Sequence, residues 1–345
     1  MTLNIGFVGT GIVSALHARA ISRTPGLALC GVTDLDSGAS SARGREWGTT
    51  VYPDLEALLA DDDVDAVWVL TPMAAHVAVA TAAVTAGKHV LVEKPVSEDE
   101  QSITDLAQLA TAAGVIALPA HNYLHLPEAR RLVHQVRQGE LGRIRALTVN
   151  YAVFHPEALA SRYGSVLAQQ MVHHTYLALA VLGCPTRVYA GAARPAWTSL
   201  TNDDQAWMTW EYEAPDAPGT TAHLFASYAV DDLGSSPQSF AVKVLGEDGT
   251  AEFNWRASTR RAARPGGYTV DLPLYEETYE HEVAAFRDVV AGVSEPISDL
   301  HDAALAARIL SSAHAAASTH TAIDIGLPSS ADGRSEQLEM AGSQP

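Results

Sequence analysis

Two short runs of this 345-residue chain carry the side chains that proton transfer needs. In the first, Leu91-Val92-Glu93-Lys94-Pro95, an apolar stretch ends in a carboxylate, an ammonium and a proline. Pro95 fixes its own φ and pushes Lys94 toward an extended backbone, so the lysine is held in one direction. In the second, Leu167-Ala168-Gln169-Gln170-Met171-Val172-His173-His174-Thr175-Tyr176, helical spacing puts Gln169, His173 and Tyr176 on one stripe. A polar stripe on a helix otherwise rich in Leu and Ala faces a cleft. An imidazole there can act as a general base, and a lysine whose pKa is lowered by its surroundings can share the proton. The competing readings are a solvated loop for Glu93-Lys94 and buried histidines that only satisfy backbone groups.

A third run fixes what such groups would work beside. Gly9-Thr10-Gly11-Ile12-Val13-Ser14 follows the apolar segment Leu3–Val8 at the N-terminus. It is a GxGxxG dinucleotide fingerprint with serine in the third glycine position. Gly9 permits the tight turn, Gly11 lets a pyrophosphate approach, and the amides of Ile12 and Val13 open a helix toward it. Asp34 comes 23 residues after Gly11, where a ribose-binding acid belongs. Its charge accepts from both ribose hydroxyls and repels a 2′-phosphate, which favours NAD, while Arg43 further on leaves NADP open. Lys94 beside a positively charged nicotinamide would have a lowered pKa.

These groups need a scaffold. Apolar runs Leu3–Val8, Leu27–Thr33, Ala66–Leu70, His89–Val92 and Val115–Leu118 alternate with amphipathic stretches such as Asp54–Ala60, Ala74–Val84 and Ile103–Ala113. Ser97 and Glu100 form a capping-box signature before the last of these. The alternation predicts an α/β fold with a doubly wound parallel Rossmann sheet. Ligands bind at the carboxyl ends of such strands, where Thr71, Pro72 and His76 join Glu93 and Lys94 as candidates. From Arg143 the strands Arg143–Val153, Trp207–Glu213, Thr220–Tyr228 and Phe240–Leu245 predict a mainly antiparallel, open-faced sheet in an α+β domain. Helices are expected over Tyr279–Val290 and Leu300–Thr319. The expected domains are 1–122 for the nucleotide and 123–327 for substrate and oligomerisation, with a polar, disordered tail at 328–345.

Composition narrows the class. The net charge is −18, which argues against nucleic acid or an anionic membrane as partner. Only Cys30 and Cys184 occur, and no signal peptide or membrane span is visible, so a cytoplasmic protein is expected. No HxxxH or CxxC pattern is backed by further ligands, so no metal is expected.

The run Ala86-Gly87-Lys88-His89-Val90-Leu91-Val92-Glu93-Lys94-Pro95, with the fingerprint, Asp34 and the Thr71–His76 segment, resembles the glucose–fructose oxidoreductase/inositol dehydrogenase (Gfo/Idh/MocA) family. The resemblance covers roughly residues 3–326. It implies that Glu93 and Lys94 lie at the cofactor and that Lys94 reaches the substrate hydroxyl. It also implies that His173, ten residues before Gly183, holds the family's histidine position. The aspartate usual four residues earlier is Gln169 here, which can orient an imidazole but supplies no charge. An acid common three residues after the histidine is Tyr176. Leu124 stands where many relatives carry an arginine. Asn122 and Tyr123, at the join of the domains, are candidates for the nicotinamide and the substrate. His155, Arg162, Tyr163, Gln169 and His174 are candidates for substrate oxygens. Trp197, Trp207, Trp210 and Trp255 read as core or subunit-interface residues.

The expected function is an NAD-dependent oxidoreductase acting on a sugar, polyol or related cyclic hydroxyl compound, with Lys94, His173 and Tyr176 catalytic. Two other readings stay open. One is glycoside cleavage by transient oxidation, elimination, hydration and reduction. The other is a nucleotide-binding regulator without catalysis. Relatives commonly pair through their exposed sheets, which implies a homodimer or homotetramer.

Overall fold

The computed structural model describes residues 2–161, 164–196, 199, 201–213, 219–229, 238–256, 260–261, 268–269 and 272–326. Arg162, Tyr163, Trp197, the Trp255 side chain and the tail at 328–345 lie outside what is described.

The elements run β1 (Leu3–Val8), α1 (Ile12–Arg23), β2 (Leu27–Thr33), α2 (Ser37–Trp47), β3 (Thr50–Val51), α3 (Leu55–Leu59), β4 (Ala66–Val69), α4 (His76–Thr85), β5 (His89–Val92), α5 (Glu100–Ala113) and β6 (Ala117–Pro119). Their strands form one sheet in the order β3-β2-β1-β4-β5-β6, every neighbour parallel. The order reverses beside β1, and in such a sheet that switch point is where a ligand crevice opens. β4 is buried throughout and β5 nearly so, as expected for strands covered by helices on both faces. The expected capping box at Ser97 is not formed. Asp99 caps α5 instead, accepting from the amides of Gln101 and Ser102, while Ser97 accepts from the Asp99 amide at 3.0 Å. Aspartate two residues nearer the helix places its charge directly on the unsatisfied amides.

The chain continues through α6 (Pro127–Arg137), β7 (Ile144–Val153), α7 (Glu157–Ala160), a π-helical turn at Val166–Gln170, α8 (Met171–Leu182), β8 (Arg187–Ala193), β9 (Gln205–Tyr212), β10 (Thr220–Ser227), β11 (Gln238–Gly246), β12 (Thr250–Arg256), β13 (Arg260–Arg261), β14 (Tyr268–Thr269), α9 (Leu272–Val290), α10 (Leu300–Thr319) and β15 (Ile323–Asp324). Seven strands make the second sheet, β12-β11-β7-β10-β9-β8-β15, antiparallel except where β10 lies parallel to β7. Along β9, Ala206, Met208, Trp210 and Tyr212 are buried against α8, while Trp207 points outward and is 46% exposed. Trp210 is therefore a core residue, and Trp207 rests over Gly191 on the open face, where a Cβ would come within 2.6 Å of the indole nitrogen.

The two sheets are tied together by the C-terminal helices. Tyr279, Val283, Phe286 and Val289 of α9 pack with Ile5, Phe7, Trp68 and Leu91. Leu300, Ala303, Ala304 and Ala307 of α10 pack with Val67, Val90 and Ile103. The core around the parallel sheet is thus completed by residues nearly 300 positions away in sequence, and α9 comes to lie beside the carboxyl ends of β5 and β6.

Candidate active site

Gly9 follows β1 with φ +107°, and a Cβ there would lie 2.5 Å from the Leu70 carbonyl oxygen. Only glycine fits, because both the backbone angle and the close approach of the next strand forbid a side chain. Gly11, the N-cap of α1, has open space where its Cβ would be, and no side chain caps the helix. No acidic residue occupies its first turn. The amides at Ile12 and Val13 are left for an anionic group. Asp34 turns back to this loop, its Oδ2 accepting from Thr10 N at 2.7 Å and from Thr10 Oγ1 at 2.6 Å, its Oδ1 from Asp36 N at 2.9 Å. Burial alone would push the Asp34 pKa up. The Thr10 hydroxyl and the surrounding amides outweigh it and hold the carboxyl below its usual range. The Thr71 hydroxyl at the end of β4 is buried without a partner. A glycine cradle, an uncapped helix, an ionised acid after β2 and an unpaired hydroxyl together fit a dinucleotide.

At the same strand ends His76 has both ring nitrogens engaged, Nδ1 with Pro95 O at 2.9 Å and Nε2 with Thr71 O at 2.8 Å. It ties the ends of β4 and β5 together and leaves no nitrogen for a ligand. Pro72 caps the short turn before it, and the Lys94–Pro95 bond is cis. Glu93 is buried, its Oε2 accepting from Lys94 N at 3.0 Å. Its Oε1 lies 3.1 Å from His17 Nε2, and Trp68 Nε1 donates to His17 Nδ1 at 3.2 Å. Because the indole N–H can only donate, it places the His17 proton on Nε2, facing Glu93. Burial would raise the Glu93 pKa, but the His17 bond and the Lys94 charge hold it low. Glu93 is therefore a fixed anion under Lys94. Burial pushes the Lys94 pKa down, while the charges of Glu93 and Glu282 push it back.

His173 enters from the other sheet. Its ring stacks on Tyr123 with centroids 4.4 Å apart, and Nδ1 lies 2.7 Å from the Tyr176 hydroxyl. That oxygen also accepts from Tyr123 N at 3.2 Å and donates to Asn122 Oδ1 at 3.4 Å, while Asn122 Nδ2 donates to Thr278 Oγ1 at 3.0 Å. A phenolic proton directed to Asn122 leaves the 2.7 Å bond to be donated by His173 Nδ1, with Nε2 carrying the ring's lone pair; directed to His173, it makes Nδ1 the acceptor. Burial first, then the charges of Lys94, His174 and His121, lower the His173 pKa well below its usual value. The charge of Lys94, at the end of β5, thus joins burial in disfavouring the protonated form of His173 on α8.

Gln169 does not join them. Gln169 lies in the wider π-helical turn Val166–Gln170 and His173 in the α-helix that follows, so the simple i, i+4 stripe is broken. The Gln169 amide lies over Gly164, and no hydrogen bond links it to His173 among the described residues. Gly164 lines a polar cavity of about 200 Å³ with Ser161, Asn202, Asp203 and Tyr228. His174 points to the sheet, with Nε2 3.0 Å from Phe225 O and its pKa lowered by burial to about 4. His155 packs on Tyr228 at 4.8 Å. Tyr123 is buried between His173 and Phe240. Leu124 is fully buried in the core.

Four contributors escaped the sequence reading: His17, Trp68, Thr278 and Glu282. Glu282 had a legible signal, since it interrupts the buried stripe Tyr279, Val283, Phe286 on α9. His17 and Trp68 are far apart in sequence and gave none.

Among the described residues no helix is long and apolar enough to cross a membrane. Residues 3–121 match the oxidoreductase family with an NAD-binding Rossmann fold (GFO_IDH_MocA), and residues 129–252 match the GFO/IDH/MocA C-terminal domain. The chain is 28% identical to D-xylose 1-dehydrogenase (NADP(+)) 2 of Haloferax volcanii, covering 93% of this chain and 98% of that one. Its fold is similar to that of a myo-inositol dehydrogenase of Corynebacterium glutamicum, with TM-score 0.80, 18% identity, and 95% and 100% of the two chains covered. It is similar as well to the WlbA dehydrogenase of Bordetella pertussis, solved with NADH and UDP-GlcNAcA, with TM-score 0.78, 21% identity, and 95% and 100% covered. A parallel six-stranded nucleotide domain joined to an open mixed sheet, with both family domains matched in order, makes this chain a member of the Gfo/Idh/MocA family and an NAD(P)-dependent oxidoreductase acting on CH–OH groups.

Proposed function

We propose that the chain oxidises a secondary hydroxyl of a sugar or polyol, using NAD in preference to NADP. The observation that carries this is the half-buried Lys94 at the end of β5, whose charge acts on the buried His173 of α8. NAD, when bound, supplies the hydride acceptor. Gly9, Gly11 and the amides of Ile12 and Val13 hold its pyrophosphate, and Asp34 holds the adenosine ribose. Glu93, fixed by His17 and Trp68, anchors the Lys94 backbone and balances its charge. Lys94 orients the substrate hydroxyl and takes its proton, with His173 Nε2 as the second acceptor. Tyr176, held by Tyr123 N and Asn122, sets the His173 ring and its tautomer. The polar cavity beside Gly164 has the lining that a polyhydroxylated ligand needs. Xylose and inositol dehydrogenases among the relatives support that substrate class. The outward face of the second sheet, with Trp207 exposed on it, supports a homo-oligomer built there.

NADH formation measured over a panel that includes D-xylose, myo-inositol and nucleotide sugars tests the reading. Steady NADH production with at least one of them is expected. Aglycone release from aryl glycosides with catalytic NAD and no net NADH would contradict it and favour the bond-cleaving cycle.

A further inference from the structure

The acid that follows β2 is gripped from the neighbouring glycine loop. Asp34 Oδ2 accepts from both donors of Thr10, the amide at 2.7 Å and the hydroxyl at 2.6 Å, while Oδ1 accepts from the Asp36 amide at 2.9 Å. An ionised carboxylate can only accept, so the Thr10 hydroxyl proton is committed to Asp34. Hydrogen bonds to a charged acceptor are the strong ones, and two of them converge on one oxygen. Thr10 is itself buried, and its loop is tied to β2 again by Gly9 N, which donates to Thr33 O at 2.9 Å. Branching at Cβ leaves the Thr10 hydroxyl little rotational freedom in that turn. The turn itself needs no hydroxyl here, because Gly9 supplies the backbone angle and the Thr10 amide already ties the loop to Asp34.

A carboxylate beside a ribose admits a 2′-phosphate only by swinging aside or by taking up a proton. The Thr10 hydroxyl opposes both. Turning the carboxylate about Cβ–Cγ breaks the bonds at 2.6 and 2.7 Å, and a donor aimed at the charged form favours that form. Against burial, which would raise the Asp34 pKa, the Thr10 hydroxyl leads the hydrogen bonds that lower it. We propose that Thr10 is a positioning residue that sets cofactor choice: its hydroxyl latches Asp34 in the orientation that receives the adenosine ribose and excludes a 2′-phosphate. The preference for NAD then belongs to the Thr10–Asp34 pair, and the acid alone does not supply it. The inference rests on the reading of Asp34 as the ribose-binding acid. Thr10 acts through Asp34 and takes no part in the hydride or proton transfer.

Thr10→Ala removes the hydroxyl and keeps the amide, and Thr10→Ser keeps both. The full chain is titrated with NADH and with NADPH by nucleotide fluorescence, which requires no substrate. NADH affinity of Thr10→Ala should fall roughly 10-fold, the scale of one lost hydrogen bond to a charged group, while NADPH affinity holds or rises. Thr10→Ser should keep the wild-type preference. In an Asp34→Ala background, Thr10→Ala should leave the ratio of the two affinities where it stands. An unchanged preference in Thr10→Ala overturns the proposal, and so does an equal loss for both nucleotides, which a merely structural bond would give. A narrowing that persists in full in the Asp34→Ala background overturns it as well, since Thr10 would then act without the acid. Should Thr10→Ala melt too low to titrate, Thr10→Val, which keeps the branch and loses the hydroxyl, answers the same comparison. Asp34→Ala leaving the preference intact would instead remove the underlying reading, whereas an Asp34-dependent preference indifferent to Thr10 defeats the latch alone.

Discussion

Replacing Tyr176 by Phe removes one oxygen from the point where three elements meet: the turn after β6, the helix α8 and, through Asn122 and Thr278, the helix α9. Two buried groups that use this oxygen respond differently. The Tyr123 amide loses the bond it donates to this oxygen, at a cost of about 1–3 kcal/mol. The His173 ring escapes most of that penalty by moving its proton from Nδ1 to Nε2. That shift is harmless for folding and damaging for chemistry, because Nε2 is then a donor where a base is needed. Tyr176→Phe should therefore lose about 1–3 kcal/mol in urea unfolding while kcat falls roughly 10²–10⁴-fold, the scale of a lost acid–base group. Affinity for NAD, titrated by NADH fluorescence, should stay near wild type. Nitrogen chemical shifts of the His173 ring report the tautomer directly. Wild-type kcat with His173 still protonated on Nδ1 would refute the role given to Tyr176, and so would a kcat loss without the tautomer change.

Asp34→Ala removes the ionised acceptor that both holds Thr10 and opposes a 2′-phosphate. NAD binding should weaken by about 1.5–3 kcal/mol and the preference over NADP should narrow, as read by calorimetry. Gln169→Asp places a carboxylate on the side chain that lies over Gly164, away from His173. The acidic limb of the pH–rate profile should stay where it is, and an upward move would show that residue 169 reaches the imidazole. Acid should unfold the protein early. His121 and His174 are buried with pKa values lowered to about 3 and about 4, burial being the first cause for each. The unfolded chain binds protons first, so stability is full above about pH 6.5 and falls as pH drops. The loss should run at roughly 1.4 kcal/mol per pH unit for each, continuing down to those folded values, and a denaturation series between pH 7 and 4 checks it.

The fold was legible because its signals are local. Unbroken apolar runs for β1, β2, β4 and β5, with a glycine turn after the first, leave few alternatives to a doubly wound sheet. Gly9, Gly11 and Asp34 could be located for the same reason: each answers a backbone or charge requirement set within a few residues. The cap of α5 was misplaced by two residues, since Ser97 and Asp99 both satisfy the sequence pattern and only geometry selects the one whose charge meets the amides. The helix that carries His173 was read as continuously α-helical, and a π turn has no sequence signature that would have moved Gln169 off the stripe. His76 looked like a ligand because it sits at a strand end, yet its ring is consumed by two carbonyls. His17 and Trp68 were missed because they meet Glu93 only through long-range packing, whereas Glu282 left a trace as the one carboxyl in the buried stripe Tyr279, Val283, Phe286 of a helix that comes back from the far end of the chain.

The central claim is that Lys94 takes the hydroxyl proton while the nucleotide site does its work independently. The rate of NADH formation in a single turnover by Lys94→Ala, on the sugar that the panel identifies and with NAD binding confirmed in the same sample, tests it most directly. That rate should be lower by roughly 10²–10⁴-fold with cofactor affinity and circular dichroism unchanged. An undiminished rate with NAD bound would contradict it.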